Sequence, residues 1–148
     1  MLRLRSLATL ALVTVAGASA HAGTLGYYRT PAIGRDVIVF AAEGDLWKVP
    51  RAGGTATRLT SHAGEESTPA LSPDGATLAF TAQYEGPTEV YVMPVAGGLP
   101  ARLTYENGRA SVSGWTPDGR VIYATDQFST LPNQELRLVD PRTGARET

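Results

Sequence analysis

From Tyr28 onward the chain alternates short apolar runs with clusters of Gly, Pro and Asp, a pattern of strands joined by tight turns. Leu78, Phe80 and Ala82 alternate with Thr77, Ala79 and Thr81, while Val37-Ile38-Val39-Phe40 is apolar on both sides, so each sheet is expected to be covered on both faces. The stretch Ser67 to Thr104 holds four such runs: Pro69 to Ser72, Thr77 to Ala82, Glu89 to Pro94 and Ala101 to Thr104. It predicts a four-stranded antiparallel meander with Leu71, Phe80, Val90 and Val92 buried and Pro73-Asp74-Gly75 in a tight turn. Four short strands per unit is the arithmetic of a propeller blade.

Landmarks inside that unit shift together by 44 residues, from 73 to 117 and from 58 to 102. Pro73-Asp74-Gly75 returns as Pro117-Asp118-Gly119, Arg58-Leu59-Thr60 as Arg102-Leu103-Thr104, Gly53-Gly54 as Gly97-Gly98, and Trp47 as Tyr91. Such a period belongs to four-stranded blades. Copy one covers residues 28–60, with strands near Tyr28 to Ile33, Val37 to Ala42, Asp45 to Pro50 and Thr57 to Thr60. Copy two covers 67–104. Copy three, 110–148, has strands near Ser111 to Thr116, Val121 to Asp126 and Glu135 to Asp140. Only four residues follow its last turn, Pro141-Arg142-Thr143-Gly144, so its outer strand is expected to be missing. The fold class is all-β, a partial β-propeller of about two and three-quarter blades, truncated in the third. Trp115 stands where copy two has Leu71 and is assigned to packing.

Residues 1–22 interrupt this picture. Arg3 and Arg5 give a basic start, Leu7 to Ala18 an apolar middle too short to span a bilayer, and Ala18-Ser19-Ala20 a small-residue cleavage pattern. They predict a secretory signal peptide cut after Ala20 or Ala22, and so a periplasmic or secreted protein with no membrane anchor after the leader is removed. Taking the two leader arginines from 13 basic residues leaves 11 against 14 acidic, about −3, without the basic stripe of a nucleic-acid binder. Cysteine is absent, which excludes disulfides and thiolate metal sites.

Candidate chemistry is sparse. Outside the leader and its junction the one histidine is His62, in the loop Ser61 to Ser67 with Glu65 and Glu66, a set that fits a solvated loop better than a catalytic or metal-binding one. Gly17, Gly23 and Gly26 have no strand before and no helix after them, so no dinucleotide fingerprint and no cofactor site is expected. An acid opens the third strand of each copy (Asp45, Glu89, Glu135), and Arg58 and Arg102 stand on the fourth; these are expected to pair as exposed blade architecture. In a meander, the loops from strand two to three and from strand four to the next blade emerge on one rim. That places Tyr84, Glu85 and Phe128 beside His62, Glu65, Glu66, Tyr105 and Glu106, in loops that lengthen from Glu43-Gly44 to Gln83–Thr88 to Gln127–Gln134. The expectation is an acidic, aromatic rim that contacts peptide or a neighbouring domain, its carboxylates favouring cationic ends. Aromatics on such a rim can also fold back onto the strand ends.

The order of Glu43-Gly44-Asp45-Leu46-Trp47, Pro73-Asp74-Gly75, Glu89-Val90-Tyr91 and Gly114-Trp115-Thr116-Pro117-Asp118-Gly119, ending in Tyr123-Ala124-Thr125-Asp126, resembles the start of tricorn protease and its bacterial homologues. The resemblance covers about Tyr28 to Pro141. It implies an N-terminal propeller followed by a second propeller, a PDZ domain and a serine peptidase core of the S41 type, assembled as a homo-oligomer that trims peptides. The catalytic residues of that family belong to the C-terminal core and none maps onto this sequence. The implied role of these blades is peptide passage, docking and assembly. Pro-Asp-Gly blades also occur in TolB-like propellers, which leaves a non-enzymatic periplasmic propeller that binds protein partners as the alternative.

Overall fold

The computed structural model describes residues 26–131 and 133–148, and the leader assigned to residues 1–22 lies outside them. Every regular element among the described residues is a strand. β1 (Arg29–Ile33), β2 (Val37–Ala42), β3 (Asp45–Pro50) and β4 (Thr57–Arg58) form the first four-stranded sheet, in chain order. β5 (Glu66–Leu71), β6 (Thr77–Ala82), β7 (Glu89–Pro94) and β8 (Ala101–Arg102) form the second. β9 (Ala110–Trp115), β10 (Val121–Thr125), β11 (Glu135–Val139) and β12 (Arg146–Glu147) form the third. All pairings within the sheets are antiparallel, as in propeller blades.

The third blade corrects the expectation of a missing outer strand, because β12 pairs with β11 through Leu138↔Glu147 and Val139↔Arg146. The outer strand of every blade is only two residues long, and the turn at Gly144 (φ +72°) brings the chain back at once. The few residues after that turn therefore suffice. The expected four-residue outer strands of blades 1 and 2 shorten in the same way: Leu59 and Leu103 leave the ladder and donate their amides to Leu46 O and Val90 O, each at 2.8 Å.

Turn chemistry accounts for the hairpins. Glu43 (φ +55°) and Gly44 (φ +88°) are both left-handed, the requirement of a two-residue type I′ connection between β2 and β3. In the β5–β6 turn Gly75 N bonds Ser72 O at 2.8 Å, and the Asp74 carboxylate accepts the Ser72 hydroxyl and Ala76 N, which together hold it below the usual carboxylate range. The innermost strands are bent by irregularities in register: between Arg29 and Ala32 in β1, between Ser67 and Ala70 in β5, and opposite Ile122 and Tyr123 in β9. Thr30 and Thr68, each before a proline, both sit at φ +45° there. This bend starts β5 at Glu66, ahead of the expected Pro69.

Side-chain alternation builds two seams. Val39, Ala41 and Leu46 of blade 1 pack on Leu78, Phe80, Ala82, Tyr91 and Met93 of blade 2. From the opposite face of blade 2, Ala79 and Val90 pack on Ala110, Val112, Val121, Tyr123 and Val139 of blade 3. Phe80 and Val90 are buried as expected, while Leu71 and Val92 are half-buried. Trp115 packs against the second seam, and its indole N–H donates across it to Ala70 O at 2.9 Å. The outward faces of the end blades are also apolar: Tyr28, Ile38, Phe40 and Val49 line a groove on blade 1, and Ile122, Leu136 and Leu138 share a face of blade 3.

Candidate functional site

The loops expected on one rim meet there. Glu66 N bonds Gly44 O at 2.9 Å, Gln83 N bonds Glu65 O at 3.1 Å and Ala110 N bonds Thr88 O at 2.8 Å, while the Asp126 carboxylate accepts Arg109 N at 2.7 Å. Inside this rim, between the innermost strands of blades 2 and 3, lies a groove of about 390 Å³. Glu65 and Ser67 line it from blade 2, Arg109 and Ser111 from blade 3, and Thr81, Gln83, Thr88 and Gln134 fill in between. Its walls offer hydroxyl and amide groups, with one acidic and one basic side chain on opposite sides.

Behind the groove the acids are buried. Asp45 and Glu89 open β3 and β7 almost without exposure and are held by Arg58 and by Arg102 (2.8 Å). The exposed architectural pairing expected for them is therefore corrected: the carboxylates lie inside, and Arg58 is the half-exposed partner. The third copy also departs from the pattern. Glu135 pairs with Arg137 at 3.7 Å, whereas Arg146 turns to Glu106 at 3.3 Å. Each of the first two blades adds a threonine from the Arg-Leu-Thr repeat. Thr60 and Thr104 accept the amides of Leu46 and Val90 at 2.9 Å and donate to a carboxylate, Glu66 in the first seam and Glu89 (2.5 Å) in the second. Asp45 is one methylene shorter than Glu89, and Glu66 supplies the carboxylate that Thr60 would otherwise lack; the residue at the Glu66 position in blade 3 is Ala110.

The rim candidates divide. Glu66 is fully buried, accepting hydrogen bonds from Leu46 N (3.1 Å), Thr60 and the Tyr84 hydroxyl, and burial pushes its carboxyl upward against those bonds. Tyr84 folds inward, its ring 4.0 Å from His62 and 4.6 Å from Tyr91, and burial with the Glu66 carboxylate raises its hydroxyl well above the ordinary range. Glu106 is buried beside Tyr123, whose phenol burial pushes up to about 12. Glu65, Glu85, Tyr105 and Phe128 stay exposed. The expected acidic character of the rim is corrected: Glu65 is paired with Arg29 at 3.4 Å and Glu85 with Arg102 at 2.8 Å. Arg102 also lies over Tyr105 (4.5 Å), and Arg137 lies over Phe128 (3.6 Å). His62 serves its own loop, Nδ1 accepting from Gly64 N at 2.9 Å and its amide donating to Asp45.

The family model of the tricorn protease N-terminal β-propeller domain matches residues 25–148. The chain belongs to this family. Over 66 residues it is 41% identical to tricorn protease homolog 1 of Streptomyces coelicolor, a stretch that is 45% of this chain and 6% of that protein. The crystal structure of tricorn protease superposes with a TM-score of 0.68 at 26% identity, over 78% of this chain and 12% of that one. The putative TolB of Agrobacterium tumefaciens superposes with a TM-score of 0.71 at 23% identity, over 83% of this chain and 46% of that one, and shows the shared propeller fold.

For this tricorn-type propeller, the sequence did not disclose the buried carboxylates. Their one visible signal is the threonine of Arg58-Leu59-Thr60 and Arg102-Leu103-Thr104 recurring with an acid at the head of the third strand. The groove residues carry no motif. Ser67, Ser111 and Gln134 become neighbours only when blades 2 and 3 stack.

Proposed function

We propose that these blades form the peptide-guiding end of an exported tricorn-type serine peptidase whose chemistry is done elsewhere in the protein. The polar groove between blades 2 and 3 carries this reading, because its hydroxyls and amides match the N–H and C=O groups of an extended peptide, and Arg109 offers a cation for its carboxylate end. Such contacts bind ground and transition states alike, so their loss raises KM and leaves kcat unchanged. In the whole protein, Arg109→Ala combined with Gln134→Ala should raise KM for a peptide of about ten residues several-fold. An unchanged KM, or a fall in kcat alone, would remove the groove from peptide handling.

The exposed Tyr105 and Phe128, each held by an arginine, favour a second use of the same rim as a protein-docking surface, as a TolB-like propeller would employ it.

A further inference from the structure

Among the described residues, three of the buried acids have an arginine: Asp45 has Arg58, Glu89 has Arg102, and Glu106 has Arg146. Glu66, with no exposure, has hydrogen-bond donors only: Leu46 N, the Thr60 hydroxyl and the Tyr84 hydroxyl. Those donors come from β3, the β4–β5 loop and the β6–β7 loop, so one carboxyl ties blade 1 to blade 2. Its chain neighbours Glu65 and Ser67 point into the groove, as does Gln83 beside Tyr84. The residues that line one groove wall and the residues that hold it therefore alternate along the same two segments.

We propose that Glu66 is a proton-operated clasp across the first seam: protonated, it holds the three segments together, and ionised, it loosens them and the groove wall they carry. The proton comes from solvent and resides on the carboxyl, which then donates to the Thr60 or Tyr84 oxygen. When it leaves, a charge with three hydrogen-bond donors but no cationic partner stays fully buried in the seam with Asp45 close by, and burying such a charge is costly. The titratable and charged groups on the elements around Glu66 are Arg29 on β1, Glu43 on the β2–β3 turn, Asp45 and Lys48 on β3, Arg58 on β4, His62 and Glu65 on the β4–β5 loop, Tyr84 and Glu85 on the β6–β7 loop, and Glu89 and Tyr91 on β7; Lys48 donates to Val95 O and Ala96 O, and Glu89 is held by Arg102. Arg58 is engaged by Asp45, Glu65 and Glu85 have their own arginines, and the Tyr84 ring stands against His62.

An acid held above its unfolded value of 4.5 contributes stability that is complete below 4.5 and is lost as pH rises through the folded value. The inference rests on the seam alone and does not need the peptide reading. It is tested by thermal unfolding of the full chain between pH 5 and 7.5, with amide exchange protection followed at Leu46 and Gln83. The wild-type midpoint should fall by roughly 4 °C or more across that range, with a matching loss of protection at both amides. Glu66→Gln should stay flat to within about 1 °C. His62→Gln should keep the wild-type slope, and Tyr84→Phe, which removes a donor to the ionised form, should move the transition to higher pH. A wild-type slope in Glu66→Gln, or a flat profile in His62→Gln, overturns the clasp. Should Glu66→Gln fail to fold, a carbon-detected NMR titration of Glu66 in the wild type decides: a midpoint above 4.5 supports the clasp and one at or below it overturns it.

Discussion

Tyr84 and Phe128 occupy equivalent positions 44 residues apart, yet their surroundings differ. Tyr84 meets His62, Phe80 and Tyr91 and reaches a buried carboxylate. Phe128 sits on a longer loop, 46% exposed, under Arg137. Truncation of a packed ring costs about 3 kcal/mol, whereas surface changes usually stay within about 0.5 kcal/mol. Tyr84→Ala should therefore lower the urea-unfolding free energy by about 3 kcal/mol and Phe128→Ala by under 1 kcal/mol. Equal losses would contradict the inward fold of Tyr84. The alignment of the repeats made the two rings look interchangeable because a repeat conveys backbone position only. Which ring finds a partner depends on the neighbouring loop, where His62 in one seam is replaced by Glu106 in the next.

Among the elements, the inner and middle strands were legible because their apolar alternation is imposed by burial on both faces: Leu78 and Phe80 look toward blade 1 while Ala79 looks toward blade 3. The outer strands of blades 1 and 2 were legible in place but not in length, and that of blade 3 was not legible. Two residues are too few to carry a period, and only the repeated Arg-Leu-Thr marked them. The bends in β1 and β5 were hidden as well, since Thr-Pro-Ala gives no sign of a left-handed threonine. At φ +45° the Thr30 side chain is strained by about 1 to 2 kcal/mol, more than the roughly 0.5 to 1 kcal/mol of chain entropy that glycine costs. Thr30→Gly should thus leave stability unchanged or raise it by up to about 1 kcal/mol in denaturant unfolding. A loss above that amount would show that the bend is not where the strain lies.

At the scale of the whole molecule, the three sheets stack into an arc with two apolar seams and an apolar face at each end. Exposed apolar sheet faces promote association. The purified chain should therefore sediment above its monomer mass at micromolar concentration, and Phe40→Glu with Leu136→Glu should restore the monomer. A wild-type monomer would mean that these faces are covered from within the chain. The arc was foreseen from the 44-residue period, while the groove was not, because it belongs to no single copy and arises only between two of them.

The two seams place their buried carboxyl groups differently. The first combines Asp45 with Glu66, and the second combines Glu89 with Ala110. Copies that look alike are for this reason not exchangeable. If recombination replaced blade 1 with a duplicate of blade 2, Glu89 and Glu66 would meet in one seam, two carboxylates competing for a single threonine and a single arginine. Deleting blade 2 would set Asp45 against Ala110 and leave the threonine hydroxyl of that seam with no acceptor. The order of the blades is thus written in the length of one acidic side chain, and a chain with one of these blades duplicated or deleted is expected to lose stability even though the backbone repeat would accommodate it.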